Sequence, residues 1–418
     1  MSNEKLKKES LLPDGWEVKK LGDICDLSLG KTPYRKDRSY WDTEKSTNNV
    51  WLSIADMLNT EGKNVSNSKE YISDKATTLI KIVRTGTLLV SFKLTLGRLA
   101  FAGKDLYTNE AIAALPLKSN NQIDKFFLYH YLNYFDWDKA TDGDIKVKGR
   151  TLNKAKLKEI DVYYPKALLE QKRIVGELDN AFEAIDKAKD NAEQNLENAQ
   201  ELFQSKLQSI FDEGKSKVQT GEWQEKTLSD VALVFGRGKS KHRPRNWKGL
   251  YGGEYPFIQT GEVRNANKYI SEYTKTYNET GLAQSKLWEK GTICITIAAN
   301  IAETSILEFD ACFPDSIIGL QVNPIQADLD FTYYLLQYFK NELQKLGKGS
   351  AQDNINLGTF ENKFFPFPKS VIEQKQIVQK LDTISSETTK LEVIYQKKIE
   401  NLEELKKSVL QKAFSGEL

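Results

Sequence analysis

The segment EQKRIVGELD at 170–179 returns as EQKQIVQKLD at 373–382, a displacement of 203 residues. The register continues without a gap through Glu197-Asn198 and Glu400-Asn401, Glu201-Leu202 and Glu404-Leu405, Leu207-Gln208 and Leu410-Gln411, to Phe211 and Phe414. Such a repeat constrains the architecture before any element is assigned, because the chain must be built as two copies of one plan. The approach to each copy is repeated too: Leu152-Asn153 and Pro165 correspond to Ile355-Asn356 and Pro368. Further upstream the match loosens but persists. Trp16, Leu21, Asp23 and Ile24 resemble Trp223, Leu228, Asp230 and Val231, and GTLLVS from Gly86 resembles GTICIT from Gly291. A chain of 418 residues is too long for one ordinary core, so two globular units and two connecting segments are expected. The boundaries read as 1–165, 166–214, 215–369 and 370–418.

Both repeated segments lack Pro and are rich in Glu, Lys, Gln, Leu and Ala, the composition of long helix. In the second copy Ile377, Leu381, Ile384, Thr388, Leu391, Tyr395, Lys398, Leu402, Leu405 and Val409 follow the alternating four-three spacing of a coiled-coil seam. The same register in the first copy holds Ile174, Leu178, Ala181, Ile185, Ala188, Ala192, Asn195, Ala199, Leu202 and Lys206. Small residues on one helix against large ones on the other predict that the two pack closely on each other. Within each globular half, apolar and β-branched runs at 87–92, 111–117, 292–298 and 317–322 read as strands. The aromatic stretches 124–135 and 329–339 read as helices whose spacing suits a buried face better than a base-stacking platform. The fold class is therefore α+β: two similar mixed α/β domains, each followed by a long helix.

The formal charge of +2 conceals a strong segregation. Residues 237–248, RGKSKHRPRNWK, contain no acid, whereas 177–213 is rich in Glu and Asp. Averaging hides a basic loop, the electrostatic mark of a nucleic-acid partner, behind an acidic helix. No stretch reaches the roughly 18 consecutive apolar residues of a membrane span. MSNEKLKKES is not followed by an apolar run, so no secretory signal is expected and the compartment reads as cytoplasmic. Cys25, Cys294 and Cys312 are odd in number and widely spaced, which predicts core thiols rather than a disulfide or zinc framework.

Duplicated halves, each a globular domain followed by a helix opening on E-Q-x-x-I-V-x-x-L-D, resemble the specificity subunit of type I restriction-modification systems. The resemblance covers essentially the whole chain. It extends to a G-K-T or G-K-S loop early in each half (Gly30-Lys31-Thr32, Gly238-Lys239-Ser240) and to Pro165 and Pro368 just before the helices. It implies a non-catalytic subunit with two target-recognition domains reading a bipartite, asymmetric double-stranded DNA site. The helices would form an antiparallel coiled coil with pseudo-two-fold symmetry. Two methyltransferase subunits, and restriction subunits carrying motor and nuclease, would be the protein partners, with S-adenosylmethionine, ATP and Mg on those partners. Physically, a helix of about 40 residues is about 60 Å long, and DNA rises about 3.4 Å per step, so such a pair could separate two readers by at most about 18 base pairs.

Base contacts need forked donors and amides, while phosphate contacts need any cation. In the first half the candidates are Lys31, Tyr34, Arg35, Lys36 and Arg38, then Lys93 and Arg98, and Lys146, Lys148 and Arg150 in the loop before the helix. In the second they are Arg237, Lys239, Lys241, His242, Arg243, Arg245 and Lys248, then Arg264, Lys348, Gln352 and Asn354. Catalytic readings fail on residue type. The first glycine of a phosphate-binding loop is replaced by Cys25 and Leu233. The two histidines, His130 and His242, have no metal-spaced partner, and His130 reads as packing. Glu17-Val18-Lys19 carries the E-x-K letters of a nuclease, but Asp14 lies too close to supply the separate-strand acid. Neither an N-P-P-Tyr or D-P-P-Tyr run nor an F-x-G-x-G loop is present.

Overall fold

A computed structural model describes residues 12–58, 63–119, 122–141, 145–146, 149–241, 244, 246–298, 300–348, 355 and 357–418. The chain divides into two compact units. Unit 1 takes the chain up to Ala192 together with Lys398–Leu418, and unit 2 is Glu193–Lys397. Each contains one globular head and portions of both long helices.

The heads are built alike. In the first, a five-stranded sheet has the order 28–29, 112–115, 88–91, 99–102, 64–65. In the second, the order 232–237, 317–322, 293–296, 304–307, 269–270 repeats it strand for strand. Neighbours are antiparallel except at the last position, where 64–65 and 269–270 each run parallel to their partner. The central strands Leu88–Ser91, Ile112–Leu115 and Ile293–Thr296 are wholly buried, which is why they read as continuous apolar runs rather than alternating ones. A ribbon pairing Trp16–Lys20 with Asp161–Pro165, matched by Trp223–Lys226 with Phe365–Pro368, ties the start of each head to its exit. On the first ribbon the Tyr164 hydroxyl donates to Glu17, and Lys19 lies 3.1 Å from the same carboxylate. The E-x-K letters are therefore a strand-surface cluster.

The aromatic stretches fold as α1 (Lys125–Tyr134) and α3 (Leu329–Lys348). Phe127, Leu128, Tyr131 and Leu132, like Phe331, Tyr334, Leu335 and Phe339, face the core, as their spacing predicts. The three cysteines are buried and free, and burial alone drives the Cys294 thiol pKa upward.

The long helices are α2 (Leu168–Gln219) and α4 (Val371–Ser415). In unit 1 they run antiparallel, since Lys189 meets Glu403 at 2.7 Å, Asp186 meets Lys406 at 2.8 Å and Arg173 donates to the Leu418 carbonyl at 2.7 Å. In unit 2, Leu207 and Phe211 of α2 join Val378 and Leu381 of α4 in one core. The end of each helix is thus a core element of a head. Phe414 packs at 5.3–5.5 Å on Phe127, Tyr131 and Tyr134, and its repeat mate Phe211 packs at 5.2–5.5 Å on Phe331 and Tyr338. Gly214 is required where α2 passes Trp223, whose ring atoms would lie 2.2 Å from an added Cβ.

The seam departs from expectation at several positions, where Asn195, Lys206 and Lys398 as well as three leucines are exposed. Ile174, Leu178, Ile185, Ala192, Leu381 and Thr388 are buried, and Ala181, Ala188, Ile377, Ile384, Tyr395 and Leu402 are half-buried. Leu202, Leu391 and Leu405, however, are 43%, 37% and 48% exposed. Neighbouring positions replace them: Phe203 packs against the unit 2 core and Ile399 is buried where Lys398 was expected. A straight helix drifts by about 20° per heptad from a strict seven-residue repeat, so a register fitted to the repeat leaves the contact face before the helix ends.

Candidate nucleic-acid interface

The repeated motif E-Q-x-x-I-V-x-x-L-D docks a helix on a head. Gln171 and Gln374 are fully buried. Gln171 donates to the Pro165 carbonyl at 2.7 Å and accepts from the Asp124 N–H at 2.7 Å; Gln374 does the same with Pro368 at 3.2 Å and Asp328 at 2.8 Å. Asp179 bonds Lys63 at 2.5 Å and His130 Nε2 at 2.8 Å. At the matching place Asp382 receives Lys268 at 3.0 Å and the Tyr334 hydroxyl. Burial works against charge on His130 and lowers its pKa, with Asp179 opposing. Burial also opposes charge on Lys268, but Asp330 and Asp382 outweigh it and raise the pKa. His130 is packing, as predicted, and it also clamps α1 to α2.

Each G-K loop leans on backbone. Gly30 and Lys31 donate to the Ile112 and Thr108 carbonyls, as Gly238 and Lys239 donate to those of Ile317 and Phe313. A Cβ on Gly30 would lie 2.0 Å from the Thr108 oxygen, and one on Gly238 2.3 Å from the Phe313 oxygen. Only glycine permits that approach. The loops turn back over a sheet edge with exposed lysines.

In the first head Thr32 donates to Glu110, and the cations of Lys93 and Arg35 act on the same carboxylate. Burial would raise the Glu110 pKa, but the Thr32 hydroxyl and these cations outweigh it and hold the group ionised. Lys31, Arg35 and Lys93, candidates from separate stretches of sequence, therefore belong to one surface. Arg35 differs from expectation: its guanidinium is engaged by Glu70 and lies 4.2 Å and 4.7 Å from the Trp41 and Trp51 rings. It anchors the loop that presents Tyr34, which is 65% exposed, and the exposed Lys36 and Arg38.

Lys93 and Leu94 pair with Thr151 and Arg150, and Ile145–Lys146 adds the third strand. This joins the backbone of the 93–98 turn to the loop before α2, two stretches that both carry candidate cations. The turn is stapled by Ser91, which bonds the Thr95 carbonyl and the exposed Arg98 N–H; Thr296 does the same for Asn300 and Glu303. Leu94, in the same turn, is 61% exposed with φ +65, and an apolar residue there carries no charge signal in the sequence.

In the second head Arg237 donates to the Asp315 carbonyl at 2.8 Å. Ser285 donates to the Lys239 carbonyl at 2.9 Å, and the Lys286 ammonium stands 3.5 Å over the Trp288 ring. Burial and then the charge of Lys239 lower the Lys286 pKa, which places Lys286, also missed, beside the basic loop. Lys241 and Lys248 are exposed, and Asn278 fixes the loop's far end through the Gly249 and Tyr251 carbonyls. Arg264 sits apart on the helix Thr260–Asn265 and reaches Asn300 at 3.4 Å. Lys148, His242, Arg243, Arg245, Gln352 and Asn354 lie outside the described residues, as do the side chains of Lys146, Arg150 and Lys348. Among the described residues no His, Cys, Asp and Glu cluster could hold a metal ion, and no helix is long and apolar enough to cross a membrane.

Two segments, 13–198 and 220–403, match the type I restriction modification DNA specificity domain. The chain is 23% identical to the type I restriction enzyme MjaIX specificity subunit of Methanocaldococcus jannaschii over 97% of its own length and 94% of that protein's. It is 26% identical to the Escherichia coli type I restriction enzyme EcoDI specificity subunit over 42% of its length and 39% of that subunit's. Its fold resembles the HsdS subunit from Thermoanaerobacter tengcongensis, with TM-score 0.63 and 19% identity over 97% and 98% of the two chains. A chain solved in work on complex assembly and conformational transition of a type I R-M system aligns with TM-score 0.76 and 20% identity over 97% and 99%.

Proposed function

Because the chain belongs to the type I restriction-modification DNA specificity family, we infer that it is the non-catalytic subunit that reads a bipartite, asymmetric DNA site and positions methyltransferase and restriction subunits on it. The observation that carries this is the duplication itself. Two heads with one strand order present unlike loops on the same shelf: Gly30-Lys31-Thr32 with Tyr34 and Lys36 in one, Gly238-Lys239-Ser240 with Lys241 and Lys248 in the other. Two related readers with different side chains recognise two different half-sites.

Phosphate contacts fall to Lys31, Lys36, Arg38, Lys93, Arg98, Lys239, Lys241, Lys248 and Arg264, together with His242, Arg243 and Arg245 of the same acid-free run of sequence. Partner docking falls to the helices. Leu169 and Ile372, one repeat apart at the starts of α2 and α4, are 84% and 72% exposed. Apolar residues so exposed at equivalent places support two docking points for a pair of methyltransferase subunits. S-adenosylmethionine, ATP and Mg belong to those partners, and the complex works in the cytoplasm.

The test is selection from random duplex DNA by the full chain assembled with its methyltransferase subunits. One interrupted motif with two unlike halves is expected. Absence of any selected motif, or cleavage by the purified chain alone, would overturn the assignment.

A further inference from the structure

We propose that Glu110 and Asp315 are base-reading carboxylates, each accepting a hydrogen bond from an exocyclic amino group, cytosine N4 or adenine N6, in the half-site read by its own head. The proposal deepens the DNA-reading function above and rests on it.

The two acids occupy the same structural slot. Each follows a two-residue carbonyl shelf, Thr108-Asn109 or Phe313-Pro314, against which the glycine of the G-K loop is pressed. Each stands two residues before the isoleucine, Ile112 or Ile317, whose carbonyl receives that glycine's N–H. Cations that the sequence marks as candidate DNA contacts adjoin both slots: Lys93 and Arg35 act on the Glu110 carboxylate, and Arg237 donates to the backbone carbonyl of Asp315. Thr32 donates to Oε2 of Glu110, and among the described residues no second side chain is hydrogen-bonded to that carboxylate.

An acid on a DNA-facing surface is repelled by phosphate. Its presence in both heads needs a compensating gain. An ionised carboxylate only accepts, and the amino groups of cytosine and adenine are the hydrogen-bond donors of the major groove. Around Glu110, Lys93 and Arg35 do two things: they favour the ionised carboxylate and offset its repulsion from the nearest phosphates. Glu110 reaches one methylene further than Asp315, so the two heads would read at different depths, in keeping with unlike half-sites. The competing account is that both acids merely balance local charge, and it predicts tighter binding without altered preference when they are removed.

The experiment is random-duplex selection by the full chain with its methyltransferase subunits, for the unaltered protein and for Glu110→Gln and Asp315→Asn. Glutamine keeps an acceptor for Thr32, and thermal melting confirms that the head is folded. Glu110→Gln should change base preference about tenfold at one or two adjacent positions of one half-site, and Asp315→Asn should do so in the other half-site only. At the altered position, an analogue lacking the amino group, such as purine for adenine, should weaken the unaltered protein about tenfold and leave Glu110→Ala indifferent. An unchanged motif, changes in both half-sites from one substitution, or equal sensitivity of Glu110→Ala to the analogue each overturn the proposal. Failure of the unaltered protein to select any interrupted motif would instead sink the DNA-reading function itself, so the two failures are distinct.

Discussion

Gln171 and Gln374 each close three backbone elements at once: the last strand of a head, the N-terminus of its aromatic helix and the first turn of a long helix. Leucine at either position fills the space but leaves a buried N–H and a buried carbonyl without partners, at a cost of about 1–3 kcal/mol each. Gln171→Leu is expected to lower the denaturation midpoint of unit 1 and leave unit 2 unchanged, which hydrogen exchange resolved by segment would read; an equal effect on both units would contradict it. The surface residues obey another rule. Exposed Lys239 and Lys241 contribute charge rather than fold, so replacing both with alanine should weaken DNA binding on any sequence. The slope of log affinity against log salt should shrink by up to about one for each phosphate that is no longer neutralised. An unaltered slope would remove this loop from the phosphate path.

At the scale of elements, the two docking networks differ at one position, and the difference is titratable. His130 in the first head is buried with its pKa depressed below 6.5, whereas Tyr334 stands in its place in the second. The unfolded chain protonates this histidine near its ordinary value, while the folded chain resists until lower pH. The stability contributed by neutral His130 is therefore complete above about pH 6.5 and is lost as pH falls toward the folded value. Asp179, whose pKa is also lowered, contributes a further loss only at more acid pH, below 3.8. Lys63 and Asp124 complete the charged surroundings. As pH falls below about 6.5, α1 should lose exchange protection while α3 keeps it. His130→Tyr should erase the contrast, and identical acid profiles of the two helices in the native protein would refute this account. The seam of α2 and α4 is likewise governed by element geometry. Its heptad pattern was legible, but Leu202, Leu391 and Leu405 turned outward because contact follows helical pitch rather than the count of seven.

For the whole molecule the decisive feature is that unit 1 is discontinuous in sequence. Val409, Leu410, Ala413, Phe414 and Leu418 complete a core whose other members come from residues 12–182. Unit 2, Glu193–Lys397, is continuous and contains its own copy of that closure in Leu207 and Phe211. Expressed alone, 193–397 should unfold cooperatively, whereas 1–192 should be loosely packed until Lys398–Leu418 is supplied as a separate peptide. Removing the Phe414 ring alone should cost about 3–5 kcal/mol, the range for a buried Phe→Ala change. A cooperative transition in 1–192 without the peptide would argue against this division.

The two-copy plan, the long helices, the buried aromatic faces, the core thiols and the basic loops were all readable from the chain, because each is a local pattern: a repeat at constant displacement, a helical period, an acid-free run. What only tertiary structure decided were relations between distant residues. Arg35 was tied up by Glu70 and two tryptophans, Glu110 was drawn beside Thr32, Lys93 and Arg35, and Asp179 found Lys63 and His130. Those pairings depend on which loops the sheet order places side by side, and side-chain identity carries no record of a neighbour remote in sequence.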